Sequence, residues 1–122
     1  MIESIDDMPA GTIGFRASGE VTREDYRQVL EPALRAAVES GEVRMLYVVE
    51  ADVELDGGAL LEDAKTDLAL GLGHVSAWKR TAVVTDLDWV RRAVRLFAWM
   101  APGEVRVWGL DGLAEAREWL AG

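Results

Sequence analysis

The chain contains no cysteine and only one histidine among its 122 residues. It therefore lacks disulfides, thiolate metal sites and a thiol nucleophile. His74 alone cannot assemble a histidine relay or a histidine metal site. It falls near the end of a predicted helix, where a cation suits the last carbonyl groups, and we expect a structural role for it.

Basic residues are also scarce. There are 13 Lys and Arg against 22 Asp and Glu, which gives a formal net charge of −9. A chain this acidic repels phosphate backbones, so we expect no nucleic-acid partner. Arg91, Arg92 and Arg95 form the densest basic cluster, and the acidic excess is greatest over residues 50–67.

Long apolar runs are absent as well. No segment approaches the ~20 apolar residues of a membrane-spanning helix. The first eleven residues, MIESIDDMPAG, are acidic where a secretory signal is basic and then apolar. We therefore expect a cytoplasmic location. Half of the residues are hydrophobic, which suffices for one folded domain over residues 1–122.

The residue pattern predicts an α/β domain in the order β-β-α-β-α-β-α-β-α. Short apolar runs bounded by turn residues predict five strands, whereas apolar residues at helical spacing predict four helices. The strands cover residues 2–5, 12–18, 43–49, 80–85 and 104–108, and the helices cover 22–41, 59–71, 89–101 and 111–120. Alternating strands and helices imply a mainly parallel sheet, with an antiparallel hairpin at the front.

The helix boundaries carry capping and breaking signals. Thr22 is predicted to cap the first helix, and Pro32 is predicted to kink it because proline lacks a backbone N–H. Asp86 and Asp88 are predicted to cap the third helix, and Asp111 the last. Residues 50–58 are predicted to form a loop.

Seven segments of the chain carry a family resemblance: GFRASGEVTREDY, EPALRAAV, VRMLYVVE, ALLEDAK, RTAVVTD, WVRRAV and PGEVRV. They resemble segments of the small bacterial SpoIIAA-like family, whose fold is the STAS fold of anti-sigma-factor antagonists. The resemblance covers essentially the whole chain and implies a mixed, mainly parallel five-stranded sheet with four helices. The family is known mainly as a fold without an assigned activity. Its comparison with Sec14-type lipid-binding domains implies a hydrophobic ligand as one alternative.

The resemblance also implies where a regulatory serine would lie. True antagonists carry a phosphorylatable serine in an Asp-Ser-Ser-Gly stretch at the start of the second helix. Phosphate on that serine blocks binding of the partner kinase. The matching stretch here is Asp56-Gly57-Gly58-Ala59, and Thr66 lies too far into the helix. We therefore expect no phosphoserine switch.

Residues 52–57 resemble the start of a calcium loop. Asp52, Glu54 and Asp56 take positions one, three and five, and a glycine takes position six. Leu60 and Asp63, however, stand where position nine and the closing bidentate Glu are required. We expect a solvated acidic loop and no metal site, and the sequence shows no cofactor motif or nucleophile elbow.

The third predicted helix is the most informative segment. At ~100° per residue its apolar residues span about 200°, although packing on a sheet needs a stripe of only ≳ 100°. On a helical wheel, Trp99 falls outside this arc, between Arg92 and Arg95. Trp99 either lies flat on the surface in an arginine cation–π contact, or belongs to an exposed apolar rim at a dimer interface, lipid contact or ligand groove. Trp78 is a further candidate for the same surface.

The sequence thus predicts a non-catalytic STAS-like binding domain, without cofactors, that forms a homodimer. Its predicted interaction surface comprises Trp89, Arg92, Leu96 and Trp99. A small carrier or sensor of a hydrophobic, lipid-like molecule is the alternative, and an enzyme ranks third.

Overall fold

The structure is a computed structural model that describes residues 1–55, 77–100 and 103–122. Its strands are β1 Ile2–Ser4, β2 Ile13–Ala17, β3 Glu20–Val21, β4 Val43–Val49, β5 Glu54–Leu55, β6 Trp78–Thr85 and β7 Glu104–Trp108. Its helical segments are α1 Arg23–Asp25, a π-helix Tyr26–Leu30, α2 Glu31–Glu39, α3 Asp88–Phe97, a 3₁₀ turn Ala98–Met100, a 3₁₀ turn Leu110–Gly112 and α4 Leu113–Ala121.

Five strands form one mixed sheet in the order β1-β2-β4-β6-β7. β1 pairs antiparallel with β2, and the other pairs are parallel. This confirms the predicted mixed, mainly parallel sheet. The prediction of an irregular loop over residues 50–58 is wrong at Glu54–Leu55, because β5 pairs in parallel with β3, from a distant part of the chain.

The nearly unbroken apolar run of β4 is explained by helical cover on both faces of the sheet. On one face Leu46 and Val48 pack with Ala116 and Leu120 of α4. On the other face Val43 packs with α2, and α3 lies beside β6 and β7. Alternate side chains of one strand therefore belong to two different apolar cores.

Pro32 perturbs its helix, but through a local change of helix type. The π-helix immediately precedes α2, and Pro32 lies in the first turn of α2. The N–H of Glu31 donates to the carbonyl of Tyr26, which is the i→i−5 bond of a π-helix. The wider turn accommodates a residue that has no N–H of its own.

The capping predictions had different outcomes. Thr22 does cap the first helix: its hydroxyl accepts the N–H of Asp25 at 3.4 Å, and the Asp25 carboxylate accepts the N–H of Thr22 at 2.9 Å. The predictions for Asp86, Asp88 and Asp111 are wrong, because no side chain caps α3 or α4. Asp86 instead accepts the N–H of Leu110 at 2.9 Å and ties two loops together.

Three of the four predicted helices, over residues 22–41, 89–101 and 111–120, have counterparts in the structure. The second predicted helix, over residues 59–71, lies outside the described residues, as do His74 and Asp56-Gly57-Gly58-Ala59. Among the described helices, none has both the length and the apolar character needed to cross a membrane.

Candidate interaction surface on helix α3

The start of α3 is fixed by the end of strand β6. Thr85, the last residue of β6, is fully buried, and its hydroxyl accepts the N–H of Leu87 at 3.2 Å. Leu87 has an extended backbone and immediately precedes the helix. This short connection sets the rotation of α3 on the sheet, and thus which side chains face outward.

The inner side of α3 faces the sheet and an apolar cavity of about 230 Å³. Val90, Ala93 and Val94 line the cavity from the helix, and Tyr47 and Val83 line it from the sheet. Trp89 lines it as well, although 55% of its surface is exposed. The inner side is therefore only part of the predicted apolar arc, because that arc also includes exposed residues.

The outer side of α3 carries the four residues of the predicted interaction surface. We call Trp89, Arg92, Leu96 and Trp99 the α3 stripe. Successive members are three or four positions apart, so they lie along one side of the helix and the 3₁₀ turn that extends it. Leu96 is 65% exposed and Trp99 80% exposed, and Arg92 is exposed too. Among the described residues, the exposed large apolar side chains are Met1 and three members of this stripe.

Trp99 does not lie flat on the domain. The cation–π contacts within the described part of the chain are made by a different tryptophan: Arg80 and Arg106 lie over the ring of Trp119, at 5.0 Å and 5.2 Å from its centroid. A ring that is four-fifths exposed has little cover from its own domain. This geometry leaves Trp99 available to a partner, and its role in binding stays a prediction.

Trp78 does not belong to the α3 stripe. It is half-buried at the start of β6 and packs with Val43 of β4 and Leu34 of α2. The sequence pattern could not separate it from the stripe, because its position depends on pairing between strands that are distant in sequence.

The acidic segment provides no metal cage within the described residues. Asp52 lies in an exposed turn, and Glu54 lies in β5 opposite Glu20. No group of three or more His, Asp or Glu side chains that could hold a metal occurs over residues 1–55, 77–100 and 103–122. Asp56, Leu60 and Asp63 lie outside those ranges.

Sequence reasoning missed a second surface feature beside the α3 stripe. A groove of about 410 Å³ runs between α3 and the edge strand β7, and Arg95 and Arg106 both line it. The signal was present in the alternation of Glu104, Val105 and Arg106, which suits an edge strand. It could not be interpreted until the sheet order placed β7 at an edge.

Comparison with known proteins agrees with this architecture. The model of the SpoIIAA-like family matches residues 12–121. The chain belongs to the SpoIIAA-like family. Its structure is similar to the crystal structure of an uncharacterized protein of the DUF3478 family, with a SpoIIAA-like fold, from Shewanella loihica PV-4. The two are 27% identical with a TM-score of 0.66, and the match covers 98% of this SpoIIAA-like chain and 93% of the other. A search of curated proteins found no match.

Proposed function

We propose that this SpoIIAA-like chain is a non-catalytic interaction domain that forms a homodimer through the α3 stripe. The observation that carries the proposal is the exposure of Trp89, Leu96 and Trp99, at 55%, 65% and 80%, along one line of α3. Contiguous apolar surface of this kind, on a chain with net charge −9, is typical of an interface. Trp and Arg are also the residue types that dominate binding energy.

The spacing of the stripe suits a second copy of the same chain. Trp89 and Trp99 each lie five residues from Val94, and Arg92 and Leu96 each lie two residues from it. A twofold axis at the level of Val94, on the outer side of α3, would pair two antiparallel helices through identical surfaces. Trp89 would then face Trp99 of the second copy, and Arg92 would face Leu96.

The same arrangement gives the Arg92 guanidinium an aromatic neighbour. Trp99 lies three residues beyond Leu96, which is about 4.5 Å along a helix axis. An arginine opposite Leu96 is therefore within the ~6 Å reach of a cation–π contact with Trp99 of the second copy. This contact would offset part of the repulsion between the two Arg92 side chains.

The expected dimer is weak. One helical stripe offers a few hundred Å², whereas a stable interface buries about 800 Å² on each partner. We therefore expect dissociation in the micromolar range. Sedimentation velocity over a wide range of protein concentration would measure it.

The test compares variants of the stripe with a matched variant elsewhere. We expect Trp99→Ala to raise the dimer dissociation constant by about 30-fold, equivalent to roughly 2 kcal/mol at a hot spot. Arg92→Glu should weaken the dimer as well. Arg35→Glu, at an exposed position of α2, should leave it unchanged. A monomer at all concentrations, or a dimer insensitive to Trp99→Ala, would contradict the proposal.

The proposal includes the absence of a phosphoserine switch. No serine occurs between Ser40 and Ser76, so the stretch Asp56-Gly57-Gly58-Ala59 offers no hydroxyl to a kinase. Incubation with a serine kinase of the anti-sigma type should leave residues 50–67 unmodified in mass spectra. Phosphate on Thr66 would show that a switch exists at a shifted position.

A second candidate function, transport or sensing of a hydrophobic molecule, is favoured by the apolar cavity. Valine and alanine side chains from three strands and α3 line most of it, together with Tyr26, Tyr47 and Trp89. Its volume of about 230 Å³ is below the ~300–1,000 Å³ of typical ligand pockets. The cavity as it stands would take a small ligand or the end of an acyl chain, which places this function second.

Native mass spectrometry of the protein purified from its host would detect a retained hydrophobic ligand. Displacement of a fluorescent fatty acid would measure binding directly. Ala93→Phe should block binding because Ala93 lines the cavity, whereas Ala36→Phe, at an exposed position of α2, should not. Equal binding by both variants would contradict a site in this cavity.

A further inference from the structure

Among the described residues, β7 is the last strand of the sheet, and its outer edge is unpaired. It pairs with β6 over Glu104–Trp108, and within the described residues no other segment pairs with it. Alternate residues of such a strand direct their N–H and C=O groups away from the sheet. Of the usual protections of an edge, β7 carries charged side chains at Glu104 and Arg106, but it has neither a proline nor a β-bulge over residues 104–108. The edge can therefore accept another strand.

A groove beside this edge has room for added chain. Its volume is about 410 Å³, and β7 is five residues long, which is about 17 Å of extended backbone. One wall is α3 and the other is the strand itself. The residues that define it are Val94, Arg95 and Ala98 on the helical side, and Val105, Arg106 and Trp108 on the strand.

Within the described residues, β7 has an arginine without an ion-pair partner near each face of the sheet. Glu104 has its own partner, because Arg80 lies 4.0 Å from its carboxylate. No ion pair within the described residues involves Arg95 or Arg106. Arg95 projects from α3 on one face. Arg106 is held over Trp119 of α4 on the opposite face, 5.2 Å from the ring centroid.

We propose that an extended acidic segment of a partner protein adds to β7 as a sixth strand of the sheet. Main-chain hydrogen bonds to the free edge would supply affinity, as in other cases of strand addition. Side chains of an added strand point alternately to the two faces. Acidic residues at both odd and even positions of the added strand would therefore meet Arg95 on one face and Arg106 on the other.

A second copy of this chain fits the edge less well. Antiparallel pairing of two β7 strands would bring Arg95 and Arg106 of both copies to one seam. The only acid of β7, Glu104, is already paired with Arg80. The four arginines would lack opposite charges, and like charges across neighbouring strands are unfavourable.

The experiment uses the full chain and a nine-residue peptide of threonine and valine that carries glutamates on both faces when extended. We expect binding that weakens with salt and shifts the amide resonances of residues 104–108. An analogue with lysine in place of glutamate tests the charge. An analogue N-methylated at alternate residues tests the main-chain hydrogen bonds, and both analogues should lose binding.

Variants of the protein locate the site. Arg95→Gln and Arg106→Gln should each weaken the acidic peptide about three- to fivefold, the scale of an exposed ion pair. Arg35→Gln on α2 is the matched control and should not weaken it. Trp99→Ala should leave peptide binding unchanged, which separates this site from the α3 stripe.

Several results would overturn the proposal. The peptide results are no binding of the acidic peptide at millimolar concentration, equal binding of the lysine analogue, equal binding of the N-methylated analogue, and resonance shifts outside β7 and its groove. Shifts of residues 104–108 with protein concentration alone would also overturn it, because the occupant would then be a second copy.

Discussion

Arg80 contacts Trp119 in two ways: its guanidinium lies 5.0 Å from the centroid of the indole ring, and its Nη1 donates a hydrogen bond to the Trp119 carbonyl. Arg44, which is paired in register with Arg80 on the neighbouring strand, donates from Nη1 to the carbonyl of Leu120 at 2.8 Å. Two strands thus hold the last carbonyl groups of α4, where positive charge also favours the helix dipole.

We expect Arg80→Met to lower the free energy of unfolding by about 1–2 kcal/mol. The variant keeps an apolar side chain but loses a charge-assisted hydrogen bond to a helix terminus. Arg106→Met is the matched control, because Arg106 lies over the same ring. A partly exposed cation–π contact contributes only about 0.5–1 kcal/mol. Urea denaturation would measure the free energy of unfolding of both variants. Equal losses of stability would show that the hydrogen bond from Arg80 to the Trp119 carbonyl contributes nothing.

Gly103 and Gly41 provide a second matched pair. Both have positive φ, +75° and +94°, where a side chain costs about 1–2 kcal/mol. A Cβ at Gly103 would also lie 2.7 Å from the carbonyl oxygen of Trp78, whereas a Cβ at Gly41 meets nothing within 4 Å.

We therefore expect Gly41→Ala to lower the free energy of unfolding by about 1–2 kcal/mol and Gly103→Ala to lower it clearly more. The additional loss arises because the chain entering β7 must move away from β6. Thermal and urea denaturation of the two variants would measure the difference. Similar losses would mean that the close backbone approach at Gly103 carries no strain.

Asp25 should make stability depend on pH in the acidic range. The backbone N–H of Thr22 donates to its carboxylate and lowers the pKa of Asp25 below its ordinary value. A group with a lowered folded-state pKa stabilises the fold above its unfolded pKa, about 3.9, and this contribution is lost as the pH falls through the folded-state pKa.

The measurement is urea denaturation at several pH values. In the range from about pH 5 downward, the loss of stability should be smaller in Asp25→Asn than in the unmodified protein. Asp52→Asn, in an exposed turn, should follow the unmodified protein. An unchanged slope in Asp25→Asn would show that the hydrogen bonds of Asp25 do not favour its charged form.

The α3 stripe and the core should differ in their effects on folding. Trp99 is 80% exposed and Leu120 is fully buried against the sheet. We expect Trp99→Ala to lower the free energy of unfolding by less than about 1 kcal/mol, and Leu120→Ala to lower it by about 2–5 kcal/mol. Chemical denaturation at low protein concentration separates folding from association. A core-sized loss in Trp99→Ala would show that Trp99 supports the fold.

The sequence by itself determined the mixed sheet, the order of its five strands along the chain and the three helices that the structure describes, because apolar runs and helical spacing are local properties of the chain. It did not indicate β3 and β5, which pair with each other from distant parts of the chain. It also determined that Trp89, Arg92, Leu96 and Trp99 lie on one side of a helix, since a spacing of three or four residues fixes this in any α-helix. Residues 43–49 indicated a strand covered on both faces, because their apolar run is nearly unbroken.

Only the tertiary structure decided which groups are brought together from distant parts of the chain. Asp86 resembled a helix cap, yet its partner is the N–H of Leu110, 24 residues away. Trp78 packs with α2, and the groove at β7 exists because β7 lies at an edge of the sheet. The contacts of Arg80 with Trp119 likewise join β6 to α4, and no local pattern encodes a pairing over 39 residues.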